Sequence, residues 1–325
     1  MVAKNLDEII KEQLNYTLKE TEFSNLGEFY RGKVRDNYTK KDKRIIIATD
    51  RLSAFDRVIT TIPFKGQLLN QVSSFWFEKT KEIVKNHIID IPDPNVSVVH
   101  QCKTVPVEVV IRGYLTGSMW RDYDKGKPTS GIMPPNGMKK NQKFDEIIVT
   151  PSTKAESGHD IYLPREEILK RGLVDKDVYE QIEEAALKLF KFGQEFCEKN
   201  GLILVDTKYE FGVKEGELMV IDEIHTQDSS RFWILDTYNE KFEKGDDPDI
   251  LDKEIFRGWL METYPTIFPD IKPDEVIPPI SEDIKIELAK RYMRSYKKIT
   301  GKEFKAEISD VKKRIYESLK EANYL

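Results

Sequence analysis

Asp206, Lys208 and Glu210 share parity in Asp206-Thr-Lys-Tyr-Glu210, and Asp222 follows at the end of the next apolar run. On a strand, same-parity side chains project from one face. Three acids and a lysine make a poor core surface, because each buried charge is strongly unfavourable unless paired or bound to metal. Such a face suits Mg²⁺ held by one or two carboxylates plus nucleotide phosphate oxygens, with a lysine touching the phosphates. A solvated strand edge is the other reading of the acids alone. The flanking runs Gly201-Leu-Ile-Leu-Val205 and Leu218-Met-Val-Ile221, joined through Lys214-Glu-Gly-Glu217, predict an antiparallel hairpin and favour a site.

Four other segments carry polar groups of similar promise. In Arg31-Gly-Lys-Val-Arg-Asp-Asn-Tyr38, Gly32 lets the backbone approach a ligand while Lys33 and Arg35 alternate onto one face. This can cover nucleotide phosphates, but with one glycine it is neither a Walker A loop nor a dinucleotide fingerprint, and an ordinary charged hairpin has the same pattern. Thr49-Asp-Arg-Leu-Ser-Ala-Phe-Asp-Arg57 runs from a strand into a polar loop, where Asp50, Arg51, Ser53, Asp56 and Arg57 serve either a ligand or the turn's own amides. In Ile111-Arg-Gly-Tyr-Leu-Thr-Gly-Ser-Met-Trp-Arg121, a helix expected to begin near Ser118 beside Arg112 is a ready phosphate site, with Ser118 alternatively a plain N-cap. Thr150–Asp160 is a polar loop of active-site length, its His159 read as solvated. His225 has no second histidine at ligand spacing, which argues against zinc, and no Ser/His/Asp or Cys/His set is evident.

The elements that position these groups follow from periodicity. Leu6, Ile10, Leu14 and Leu18 predict a helix within residues 5–22, and Gly27–Asp50 reads as a small antiparallel sheet. Gln67–His87 and Asp175–Asn200 read as helices, the latter with Gly201 as its C′ residue, and Val105–Ile111 as a strand ending at Arg112. Lys253–Tyr264, Ser281–Ile299 and Phe304–Ala322 complete the helices. Strands and helices do not alternate as βαβ units, so the fold class expected is α+β: a β-rich lobe over residues 1–100, a mixed lobe with the C-terminal helices over 101–325, and a cleft between them. The chain has 325 residues, 39% hydrophobic and 34% charged, and a net charge of −5. Local basic clusters on an acidic chain suit small anionic substrates and argue against nucleic acid as a partner. No apolar run is long enough to span a bilayer, and Cys102 and Cys197 form no framework, so a cytoplasmic protein is expected.

Taken together these segments closely resemble the phosphoribosylaminoimidazole-succinocarboxamide synthase (SAICAR synthetase) family, in its longer, yeast-type branch. The matching residues are Gly32-Lys-Val-Arg-Asp36, Asp50-Arg-Leu-Ser-Ala-Phe-Asp56, Lys65-Gly-Gln-Leu-Leu-Asn70, Val110-Ile-Arg-Gly-Tyr-Leu-Thr-Gly-Ser118, Pro151-Ser-Thr-Lys-Ala-Glu156, Leu204-Val-Asp-Thr-Lys-Tyr-Glu-Phe-Gly212 and Asp222-Glu-Ile-His-Thr-Gln-Asp-Ser-Ser-Arg-Phe-Trp233. The resemblance implies a nucleotide lobe like that of kinases and ATP-grasp enzymes. It also implies ligation of L-aspartate to the carboxylate of carboxyaminoimidazole ribotide (CAIR) with ATP and Mg²⁺. By motif, Gly32, Lys33 and Arg35 would meet ATP, and Glu210 and Asp222 would hold Mg²⁺. Arg112, Ser118 and Arg231 would bind the ribotide phosphate, while Lys208, Ser53 and Asp56 would lie near the reacting groups. Asp206 is a supporting residue, Glu156 an outer metal partner, and Ser229, Ser230 and Arg57 are candidates for the aspartate carboxylates. The stretch Gly158–Pro164 is shorter than the branch leads one to expect. A small-molecule kinase or a nucleotide-binding module without turnover are the competing readings, and either a monomer or a homodimer is compatible with the sequence.

Overall fold

The computed structural model describes residues 4–153, 161–251, 254–272 and 274–325. Their contacts form two units: residues 1–75, 88–101 and 251–325 in one, 76–87 and 102–250 in the other. Glu156 and His159 lie outside the described residues.

In the first unit, α1 (Leu6–Gln13) opens with a reciprocal capping box between Asn5 and Glu8. It stops short of the predicted residue 22 because the amide of Leu18 donates to the buried Asp50 carboxylate instead of continuing the helix. Strands β1 (Glu28–Arg31), β2 (Arg35–Lys40) and β3 (Lys43–Ala48) follow, then the short β4 (Arg51–Ala54) and β5 (Arg57–Thr61), helix α2 (Lys65–Thr80), β6 (Ile88–Asp93) and β7 (Val96–His100). One sheet has the order β1-β2-β3-β7-β6; β4 and β5 pair separately. Thus the polar Thr49–Arg57 "loop" is half of a hairpin, turning through Phe55 and Asp56, both at positive φ (50° and 59°), as a two-residue hairpin turn demands. Helix α2 ends at Thr80, before the predicted His87.

The second unit is built on β8 (Lys103–Tyr114), β9 (Lys143–Thr153), β10 (Leu202–Lys214), β11 (Glu217–Ile221) and β12 (Ser230–Ile234), with α3 (Gly117–Asp124), α4 (Arg165–Lys170), α5 (Lys176–Lys199) and α6 (Leu235–Lys244). Strand β10 is interior: β8 lies on one side, β11 and β12 on the other. Helix α5 packs on it with its apolar stripe Ile182, Ala186, Leu189 and Phe190 buried. The chain then returns to the first unit as α7 (Glu254–Thr263), α8 (Glu282–Thr300) and α9 (Val311–Glu321). The sequence reading attaches these helices to the second lobe. In the structure Val311, Ile315 and Leu319 share a core with Leu26, Tyr38, Ile47 and Val98. The α+β fold class holds.

Candidate active site

Strand β10 sets three side chains on one face. Across the ladder, Asp206 opposes Arg112 and Glu210 opposes Glu108 on β8, while Asp206 opposes Arg231 on β12. Asp206 and Glu210 are buried, at 5% and 6% exposure, so the solvated-edge reading of the acids fails. Register shifts interrupt the ladders beside Asp206, Glu210 and Arg112, irregularities that re-aim side chains at sites.

Two clusters result. In the first, Asp206 Oδ2 accepts from Arg231 Nη1 at 2.5 Å and lies 3.8 Å from Arg112 Nη1. Arg112 is buried. Its Nε donates to Thr150 Oγ1 at 2.9 Å, and one Nη group donates to Ser118 Oγ and Tyr162 OH at 3.4 and 3.3 Å. Thr116, the N-cap of α3, gives its hydroxyl to Asn141 and not to the helix, so the first amides of α3 have no side-chain cap. Ser118 lies inside the helix and turns to Arg112, so the plain N-cap alternative fails. A Cβ on Gly117 (φ +59°) would stand 2.6 Å from the Arg231 guanidinium. Two guanidiniums, two hydroxyls and an uncapped helix N-terminus therefore gather at one place, a set of donors suited to an anionic group.

In the second cluster, Lys208 Nζ lies 2.6 Å from Glu210 and 3.0 Å from Glu108. Burial opposes the Lys208 charge, but Glu210, Glu108 and Asp222 outweigh it and hold the ammonium well above the usual lysine range. Glu108 is further fixed by Ser152 Oγ at 3.0 Å. Asp222 stands at a left-handed backbone position (φ 64°) just past β11. Among the described residues no group of three or more His, Cys, Asp or Glu encloses a metal. An all-protein cage is not what Mg²⁺ needs, since it keeps waters and takes one or two carboxylates with phosphate oxygens. Glu210 and Asp222, both acting on the Lys208 charge, fit that donor set.

The segments of the first unit behave differently. Asp50 and Arg51 turn inward. Asp50 accepts from the amides of Leu18 and Gly66, and burial pushes its carboxyl up to about 6. Arg51 donates to the carbonyls of Lys33 and Gly32, each at 3.0 Å, and to Asp36 at 2.8 Å, bracing the turn between β1 and β2. On that turn Lys33 is exposed and pairs with Asp56. Arg35 is half-buried on β2, opposite Ala48, and Ser53 is half-buried on β4. Arg57 is turned to the carbonyls of Lys272 and Glu275. His225 is a core imidazole: it bonds Tyr209 OH, packs edge-on to Trp76 at 4.7 Å, and is held near 3 by burial.

Sequence reasoning missed Glu108 and Tyr162, and it placed Thr150 in a loop where the structure has it on β9 against Arg112. A lone acid inside the apolar run Val105–Ile111 was the available signal for Glu108. Thr150 and Tyr162 carry none, because only tertiary pairing brings them to Arg112.

Comparison with known proteins places the chain in a family. A family model described as SAICAR synthetase matches residues 28–269. The phosphoribosylaminoimidazole-succinocarboxamide synthase of Legionella pneumophila (strain Paris) is 44% identical over 284 residues, covering 86% of this chain and 89% of that protein. The structure of SAICAR-synthase from Saccharomyces cerevisiae complexed with SAICAR superposes with a TM-score of 0.76 at 32% identity, covering 89% of this chain and 99% of that one. A SAICAR synthetase (Type-2) in complex with ADP gives 0.66 at 26% identity, over 86% and 100%. With a match that runs from β1 past α7 and includes every residue of both clusters, the chain belongs to the SAICAR synthetase family.

Proposed function

We infer that this chain is an ATP-dependent carboxylate–amine ligase that joins L-aspartate to the carboxylate of CAIR, giving SAICAR, ADP and phosphate in purine biosynthesis. The observation that carries the reading is the pair Arg112 and Arg231 held by Asp206 at the uncapped start of α3. A phosphorylated substrate needs that cradle, whereas a generic small-molecule kinase or a nucleotide module without turnover does not.

The chemistry explains the second cluster. Oxide is not a viable leaving group, so a carboxylate must first be activated. A CAIR carboxylate oxygen attacks the γ-phosphorus of ATP, the bond from phosphorus to the bridging oxygen breaks, and ADP leaves. The aspartate amine then attacks the acyl carbon, the C–O bond to phosphate breaks with its electron pair, and the nitrogen sheds a proton. No enzyme nucleophile is required. Glu210 and Asp222 are assigned to Mg²⁺, which when bound would neutralise phosphate charge. Lys208, a cation held in place by three acids, is assigned to the reacting carboxylate, where a fixed charge needs no reorganisation during the reaction. Lys33, with Gly32 and Arg35, is assigned to the ATP phosphates. Ser53 and Asp56 are assigned to the imidazole and its substituents. Cytoplasmic placement goes with two buried thiols, Cys102 and Cys197, and with the finding that no described helix is long and apolar enough to cross a membrane.

The test is ADP release with CAIR and L-aspartate each omitted in turn. Release that requires both, with stoichiometric SAICAR, supports the ligase. Release indifferent to either sinks it.

A further inference from the structure

Asp56, assigned above to the substrate's reacting end, sits on a two-residue hairpin turn whose first position is filled by a bulky aromatic residue. Phe55 and Asp56 both occupy positive φ, a conformation costly for a bulky residue such as Phe55 and kept only where the surroundings impose it. What surrounds them comes from more than 200 positions away in sequence. Arg57 donates to the carbonyls of Lys272 and Glu275, at 2.5 and 3.3 Å. The Phe55 ring lies 5.1 Å from that of the buried Phe268, and the Arg257 guanidinium sits 4.9 Å over Phe55. Arg257 is in turn held by Glu254 at 2.8 Å. Two residues of this set, Lys272 and Glu275, lie beyond the segment matched by the family model.

We propose that Arg257, Phe268, Lys272 and Glu275 form a clamp on the Phe55-Asp56 turn, with Arg57, Phe268 and Arg257 as positioning residues for Asp56 and its partner Lys33. This rests on the ligase reading for its catalytic consequence but not for its structural one. Three independent grips, a bidentate hydrogen bond, a ring contact and a cation over a ring, act on the residues either side of the carboxylate.

Two measurements on Arg57→Ala and Arg257→Ala test this. By hydrogen–deuterium exchange, peptides spanning 51–61 are expected to lose at least tenfold protection, with those from β2 and β3 unchanged. In the ligase assay, Arg57→Ala is expected to lower kcat/KM about tenfold in the wild-type background and less than twofold in Asp56→Asn, since a clamp acting through Asp56 has nothing left to position. Rescue by Arg57→Lys should be partial, because an ammonium cannot reach both carbonyls with a fixed fork. Unchanged exchange at 51–61 overturns the clamp whatever the enzyme does. So does an equal loss of activity in both backgrounds. A wild-type chain that makes no SAICAR overturns the ligase reading and the positioning role, while the exchange result judges the clamp separately.

Discussion

Arg231 illustrates how much one position depends on its neighbours. Its guanidinium lies against Gly117 because no side chain intervenes, and it is aimed by Asp206. Removing a charge-assisted contact to phosphate forfeits about 1.5–3 kcal/mol. Arg231→Ala is therefore expected to raise KM for CAIR about tenfold or more with kcat changed much less. Gly117→Ala should copy that phenotype, since its Cβ takes the guanidinium's place; a Gly117→Ala enzyme with normal KM would remove Arg231 from the cradle. Asp222→Asn is expected to act on kcat, and its effect should lessen at high Mg²⁺; a pure KM effect on CAIR would contradict the metal assignment. At Lys208 the expected effect is on folding as well. Lys208→Met leaves Glu108 and Glu210 facing each other across the ladder, costing roughly 2–4 kcal/mol, at the low end because the lysine is about one-third exposed. Adding Glu108→Gln should restore part of the loss in urea midpoint. Strict additivity of the two changes would show that the acids do not meet through Lys208.

At the scale of elements, β10 was readable because its chemistry and its periodicity coincide: the acids share parity, and the apolar runs bound them. The grouping of Arg112, Ser118 and Arg231, proposed here as the phosphate cradle, was readable in their types and surrounding glycines. What the residues alone could not tell is which of several polar groups in a segment turn outward. Asp50, Arg51, Ser53 and Asp56 have similar composition, yet the first two serve Leu18, Gly66 and the Gly32–Lys33 turn. That choice is made by distant partners. The same limit hid β9 and β12, and hid Tyr162, whose hydroxyl meets Arg112 only once β8 and β9 have paired. Helix ends were misjudged where a tertiary hydrogen bond overrode an amphipathic pattern, as at Leu18, and where a local cap set the start, as at α9, whose N-cap Asp310 accepts from Lys313 N and begins the helix later than Phe304.

At the scale of the molecule, the two units should answer acid in opposite ways. In the first, burial raises Asp50 to about 6, so between pH 4 and 6 the folded state binds more protons than the unfolded, and stability rises as pH falls. In the second, burial lowers His225 to about 3. There the unfolded state gains the proton below its usual pKa of about 6.5, so stability falls as pH falls. Exchange protection from pH 6.5 to 4, corrected for intrinsic rates, is therefore expected to grow at the first turn of α2 and shrink along β10. Asp50→Asn should abolish the first trend and His225→Gln the second. Parallel loss in both regions would mean that neither group dominates.

The sharing of one core by Leu26, Ile47 and Val98 with Val311, Ile315 and Leu319 has a consequence for the order of synthesis. On the ribosome, residues 102–250 are all available while the sheet of residues 28–100 still lacks its last covering helix. That helix, α9, also brings Arg314, which pairs with the buried Asp93 at 2.9 Å. The β1–β3 sheet is thus made early and completed late, so a nascent chain halted near residue 300 should bury the β10 cluster against proteolysis while that sheet stays open to cleavage. Equal protection of both in such a stalled chain would show that α9 is an ornament to that core and not its lid.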